Sequence, residues 1–407
     1  MKLQHVDVHN AITVLSSALD LVGVDEVMHG KRVAVMARAI AMHLGWPEPE
    51  CLSILYAGML HDCGVSKIHE HRQLTATLEW EGAEEHCIRG ADFLSDCQPL
   101  SHLSAEIRYH HTRWERLLEL PVDPRIRLRA NLLFLADRVD VLQAPLLNSS
   151  MILIEYPAII ARIKTLSGLL FAPELVDVFS EIADVEAFWL AMEPDYLDED
   201  LRRIGRDIQA AMLGIPALKE LARLFSRVVD AKSPYTVEHS QRVALIARQL
   251  AADFGVDDYT LDQVEIAGLL HDIGKLRVSE DIIDKPGMLT PEERAIMHRH
   301  SYDTFRILQR VFEDSKIPVW AGFHHETLIG DGYPFKNANQ ELDLECRIIA
   351  VADIFQALAQ ERPYRHTMTL AYILNDIQSR VTAGRLDGDV VAKLTANAEH
   401  YYRLAVA

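Results

Sequence analysis

Apolar residues recur at three- and four-residue steps along most of this chain, the repeat of helices that each bury one face. Lys31 to Leu44 and Gln241 to Phe254 show it plainly. Both stretches are rich in Ala, and each stops at a glycine, Gly45 or Gly255, placed where a helix C-cap belongs. Long alternating runs of Val, Ile and Thr, the mark of half-buried strands, are absent. The pattern predicts an all-α fold, with a short hairpin near the Gly330 to Pro334 turn as the one place for strands.

A chain of 407 residues with 49% hydrophobic content can bury two ordinary cores. The pattern breaks at EPDYLDED, Glu193 to Asp200, where Pro194 and a run of acids interrupt it. The expected organisation is a domain over 1–200, a linker helix over 201–229 (about Leu201 to Val229) and a domain over 230–407. The apolar positions of that helix could pack on either domain or on a second chain, which leaves a homodimer open. No apolar run is long enough for a bilayer, and the opening MKLQHVDVHN lacks a secretory pattern, so a cytoplasmic protein without membrane attachment is expected.

The two domains are copies of one another. His29, His61, Asp62, His86, His110, His111 and Asp137 in the first half answer to His239, His271, Asp272, His300, His324, His325 and Asp353 in the second. His29 to His61 is 32 residues, as is His239 to His271, and His86 to His110 repeats the 24-residue step from His300 to His324. The flanking segments agree as well: HGKRVAVMAR with HSQRVALIAR, AGMLHDCG with AGLLHDIG, LADRVDVL with VADIFQAL. The offset drifts from 210 to 214 to 216 residues, which two small loop indels explain, and at the last offset Gly168 meets Gly384.

Imidazole and carboxylate together suit first-row divalent metals. Seven ligands exceed one ion's ordinary coordination, so the economical arrangement is two ions sharing Asp272. His239, His271, Asp272 and Asp353 would surround one, and Asp272, His300, His324 and His325 the other. A metal pair about 3.5 to 4 Å apart activates water against a phosphoester. The net charge of −19 argues against a general nucleic-acid surface, so a phosphate substrate must be drawn by metals and a few placed cations. Five scattered cysteines, an odd number with no zinc-knuckle spacing, read as buried reduced thiols.

HDIGK (His271 to Lys275), KPGMLT from Lys285, HHE followed by GDGYP (His324 to Pro334), and ADIFQAL followed by RPYR (Arg362 to Arg365) together resemble the HD-GYP family over about Asp230 to Leu394. The resemblance implies an all-helical, bacterial, metal-dependent phosphodiesterase that opens cyclic dinucleotides, chiefly cyclic di-GMP, in some members as far as mononucleotides. It implies iron or manganese as the metal, although these ligand types also accept nickel or zinc. Carried over residue by residue, Asp272 and Lys275 are the candidate catalytic residues, Lys275 lying beside the scissile phosphate. Tyr333 would contact substrate at the rim, Arg362 and Arg365 would bind phosphate oxygens, and Gly332 and Pro334 would shape the loop.

Gln356 and Ser233 stand where the family often has Asp, and Thr327 and Ile329 where it has Arg and Asp. These departures leave 3′,3′-cyclic GMP-AMP open as the ring. Tyr235, where some members place a Glu, favours two metals over three. His298, His366 and His400 fall outside the spacing and read as surface histidines.

The first copy keeps every ligand type, so it can hold metal, but HDCGVSK puts Val65 at the position of Lys275, and TRWERLLELP replaces the glycine-tyrosine turn. It reads as a degenerate HD domain with a regulatory or structural role. Two rival functions remain at this level: a noncatalytic receptor for a cyclic dinucleotide, and a broader HD-type nucleotide phosphohydrolase.

Overall fold

The computed structural model describes residues 6–21, 28–80, 82–147, 149, 151–208, 212–233, 238–360 and 368–406. Among them the regular structure is helical; the β contacts are two isolated bridges, Asp7 with Met212 and Ser167 with Phe171. The expected hairpin is not formed. Residues Gly330 to Pro334 make a loop instead, held by a bond from the Tyr333 N–H to the His325 carbonyl (3.3 Å) and one from Gly330 N–H to Thr327 (3.0 Å).

The chain divides into two compact units, Asp7–Met212 and Leu213–Ala407, the latter joined by Val6. The division falls later than the acidic run. Pro194 opens a helix, Pro194–Asp207, rather than ending one, because its missing N–H costs nothing at a first turn, and Leu197, Leu201 and Ile204 bury one face. The continuous linker helix expected over 201–229 is also absent. Gly214 is extended and Pro216 sits in the first turn of a new helix, Ile215–Asp230, which packs within the second unit against Asp258–Leu270. A proline inside one long helix would have removed a hydrogen bond and struck the preceding turn.

In the second unit, the helices that carry ligands start and stop on local chemistry. Asp257 caps Asp258–Leu270 by accepting from the Thr260 N–H, and Thr290 with Glu293 forms a capping box for Pro291–Val311. The His239–Asp253 helix packs on Asp258–Leu270 and on Leu344–Ala359. Gly255 follows that helix at φ 77° and Gly45 follows His29–His43 at φ 74°, both as C-terminal caps. The first unit repeats the plan with His29–His43, Glu48–Leu60, Ala83–Ser95, Ser104–Tyr109 and Pro124–Gln143.

One backbone strain is duplicated. The residue before the first ligand histidine is left-handed in each copy, Met28 at φ 73° and Glu238 at φ 65°. Such a conformation costs a non-glycine residue on the order of 1–3 kcal/mol. In the second copy the buried Asp230 carboxylate accepts from the Ser240 N–H (3.1 Å) and hydroxyl (2.9 Å), which pins the helix that presents His239.

Candidate metal centre

Five short stretches converge in the second unit. His239 opens its helix, His271 and Asp272 close Asp258–Leu270, His300 lies inside Pro291–Val311, His324 and His325 follow Ile317–Gly322, and Asp353 lies inside Leu344–Ala359. All seven side chains come together. The turn after Asp272 is forced against the His300 helix: a Cβ on Gly274 would lie 2.1 Å from the His300 carbonyl oxygen, so only glycine fits. Thr304 locks the same junction, donating to the His271 carbonyl and accepting from the Gly274 N–H, both at 3.0 Å.

Asp272 faces two ways. Its Oδ2 lies 3.5 Å from His239 Nε2 and 3.3 Å from His271 Nε2, while its Oδ1 lies 3.5 Å from His300 Nε2 and 3.7 Å from His324 Nε2. Asp353 Oδ1 adds a contact to His239 Nε2 at 3.4 Å, and His325 groups with His300 and His324. The ring orientations are set from behind. Nδ1 of His271, His300 and His324 donates to the carbonyl three residues earlier, at 2.7, 2.5 and 2.6 Å, so each Nε2 presents a lone pair to the centre. His239 Nδ1 is held instead by the Gln356 side-chain oxygen at 2.5 Å.

The fit to cations can be tested on the polar atoms themselves. His271 Nε2 and Asp272 Oδ1 are buried without a hydrogen-bond partner, and His300 Nε2 faces His324 Nε2 at 3.3 Å. Two acceptor lone pairs that close are comfortable with a cation between them. Burial holds His300 down to about 3, His325 to about 4 and His324 well below the ordinary range, so these rings are neutral and ready to ligate. Burial also opposes protonation of His239, but Asp272 and Asp353 outweigh it and raise that ring to about 10. Burial would raise the two carboxylates; the surrounding cationic and donor groups, His271 and Lys275 for Asp272 and His239 for Asp353, keep both well below 3.8.

The centre forms one end of a cavity of about 530 Å3. Lys275 lines it, with Nζ 2.5 Å from Asp272 Oδ2. Tyr333 lines it too, its ring stacked on His298 at 3.7 Å with the planes 6° apart. His298 is therefore part of the pocket wall, contrary to its reading as a surface histidine; nothing in its spacing from His300 marks it, because the stack depends on the distant loop. Glu326, the acid of HHE, accepts from the N–H groups of Phe335 (2.7 Å) and Lys336 (3.1 Å) and so closes the loop that carries Tyr333. Gly332 is needed there: its Cβ would fall 2.5 Å from the His325 carbonyl oxygen. Arg362, Arg365, Tyr235 and His366 lie outside the described residues.

The first copy repeats the centre, with far less space beside it among the described residues. Asp62 Oδ2 lies 3.5 Å from His61 Nε2 and 3.8 Å from His29 Nε2, and its Oδ1 lies 3.4 Å from His86 Nε2 and 3.9 Å from His110 Nε2. His111 and Asp137 complete the set at 3.5 Å from each other, and His61 Nε2 and Asp62 Oδ1 are again buried without a partner. The space beside this centre shrinks to about 20 Å3, lined in part by Val65. Arg138, at the position of Ile354 in the second copy, is buried and bonds Asp137 (2.7 Å) and the carbonyls of Leu74 (2.9 Å) and Thr77 (2.7 Å). Alignment of the two copies would have exposed that substitution, although not its direction. All five cysteines are buried and none is in a disulfide.

Comparison with known proteins agrees with this geometry. Residues 27–142 and 223–390 each match the HD domain family. The chain is 37% identical over 411 aligned residues to 3′3′-cGAMP-specific phosphodiesterase 1 of Vibrio cholerae, covering 99% of this chain and 94% of the relative. A cyclic di-GMP phosphodiesterase of Thermotoga maritima is 33% identical over 168 residues, 40% of this chain and 45% of that protein. The crystal structure of a cyclic GMP-AMP specific phosphodiesterase of V. cholerae, V-cGAP3, superposes with a TM-score of 0.64 at 25% identity, covering 97% of this chain and 98% of that one. With an HD centre in each half, and the glycine-tyrosine-proline loop beside the second, the chain belongs to the HD-GYP family of phosphodiesterases.

Proposed function

We propose that this protein hydrolyses a bacterial cyclic dinucleotide, 3′,3′-cyclic GMP-AMP ahead of cyclic di-GMP, at the second-copy centre. One observation carries the reading: a single carboxylate, Asp272, turns its two oxygens to two separate histidine groups at the end of a cavity of about 530 Å3. The ring preference is supported by the V. cholerae relative, whose similarity runs through both halves.

His239, His271, Asp272 and Asp353 would hold one divalent ion and Asp272, His300, His324 and His325 a second, iron or manganese by family resemblance. When bound, such a pair lowers the pKa of water and stabilises charge on a phosphodiester under in-line attack. The chain's own groups do the rest. Lys275 donates to a phosphate oxygen from the cavity wall, and Tyr333, buttressed by His298, limits the rim against which the ring is seated. Residue 230 onward is the catalytic domain on this reading. The first copy is a metal-capable domain with little space for a nucleotide among its described residues, and with a regulatory or structural role.

The test is to incubate metal-loaded protein with cyclic di-GMP, cyclic di-AMP and 3′,3′-cyclic GMP-AMP and to follow products by chromatography. Conversion of the mixed ring to a linear dinucleotide is expected. Tight binding with no loss of any ring would make the protein a receptor instead.

A further inference from the structure

On the reading that the cavity takes a cyclic dinucleotide, we propose that Arg385 and Arg380 form a subsite for the phosphodiester that is not being cut. Such a ring carries two phosphodiesters, and a metal pair with Lys275 neutralises the one at the centre. In a chain of net charge −19, the other must meet a local cation. Among the described residues, the Lys and Arg side chains that line the cavity are Lys275, Arg380 and Arg385.

The two arginines are built into one turn. Arg380 lies in the last turn of Leu370–Thr382, and its carbonyl accepts from the N–H groups of Arg385 (2.9 Å) and Leu386 (3.4 Å), the reversal being made by Gly384 at φ 72°. This turn is tied to the loop after HHE, because the Arg385 carbonyl accepts from the Leu328 N–H at 3.1 Å. The Arg385 guanidinium lies 2.6 Å from Asp331 Oδ2, and Asp331 Oδ1 in turn accepts from the Thr327 hydroxyl at 2.7 Å. Arg380 Nε is steadied by Asp376 at 2.7 Å. Each guanidinium has five N–H donors, so the acid that orients it leaves a fork free for phosphate oxygens.

The first copy supplies an internal contrast. Gly168 stands there at a similar φ of 77°, and the Leu169 carbonyl accepts from the Glu115 N–H at 3.1 Å, just as Arg385 does from Leu328, although the N–H of Leu169 closes on Leu166. The residue that follows the glycine is there an exposed leucine. The left-handed glycine and the cross-loop bond are thus kept in both copies, and at the residue after the glycine a guanidinium replaces leucine beside the roomy cavity. Thr327 and Ile329, the departures from the family after HHE, belong to the same assembly: Thr327 positions Asp331, and Ile329 Cγ2 would lie 3.1 Å from a Cβ on Gly384.

The experiment compares steady-state kinetics of the manganese-loaded full chain on the cyclic dinucleotide and on bis(p-nitrophenyl) phosphate, a diester with no second phosphate. Arg385→Ala is expected to raise KM for the ring about tenfold, equivalent to about 1.4 kcal/mol, and Arg380→Ala with Arg385→Ala further, with kcat within about twofold. Activity on the aryl diester stays within about twofold, and Arg385→Lys, which keeps charge without the fork, falls between. A ring KM unchanged in the double variant, or an equal fall on both substrates, overturns the subsite. Wild-type protein that cleaves the aryl diester but none of the rings would remove the cyclic dinucleotide reading, and the subsite with it.

Discussion

Gln356 is the residue at which the two centres differ most sharply behind their ligands. Its side-chain oxygen accepts from His239 Nδ1 at 2.5 Å, whereas in the first copy the carboxylate of Asp140 takes that place, 2.6 Å from His29 Nδ1 and bonded also by Arg32 and Gln143. A neutral amide fixes the tautomer of His239 without adding charge to a centre that must admit an anion. Gln356→Leu should weaken metal affinity by about 10- to 100-fold, read by competition with a chromophoric chelator. Unchanged affinity would reduce Gln356 to a packing residue. The raised pKa of His239, about 10, adds a pH dependence. Its proton must leave when a metal arrives, so apparent affinity should rise by roughly a factor of ten per pH unit between about pH 7 and 9.

Among the elements, the loop from His325 to Pro334 builds one wall of the cavity beside the second centre. Its fold depends on the Glu326 carboxylate accepting two backbone N–H groups and on the absence of a side chain at position 332. Gly332→Ala should displace Tyr333 and lower kcat/KM by tenfold or more, about 1.4 kcal/mol or more, while the melting temperature falls by only a few degrees. An alanine variant with wild-type kinetics would show that the loop tolerates the shift. This element was readable in part. The ligands and their helices stand out because metal coordination demands fixed residue types at fixed spacings, and duplication prints the demand twice. The helix break at Gly214 and Pro216 was legible in principle but was overridden by apolar periodicity on both sides. The stacking of His298 on Tyr333 and the approach of Arg385 to Asp331 join positions far apart in sequence, and periodicity carries no record of such pairings.

At the scale of the whole molecule, the space among the described residues is about 530 Å3 beside one centre and about 20 Å3 beside its twin, although both bridge their histidines through an aspartate. His271→Ala with Asp272→Ala should abolish turnover of the ring, whereas His61→Ala with Asp62→Ala should leave at least part of it. Both variants are to be checked for retained helicity by circular dichroism. Equal and total loss in the two folded variants would contradict the division of labour. No described helix is long and apolar enough to cross a membrane.

Arg138 makes that division hard to undo. If this arginine were replaced by the isoleucine of the other half, the Oδ2 of Asp137 and the carbonyls of Leu74 and Thr77 would lose their shared donor at one stroke. Stranded buried acceptors cost about 1–3 kcal/mol each, so a lone Arg138→Ile change would destabilise the first half before it opened any space there, a ratchet that a single point mutation does not release.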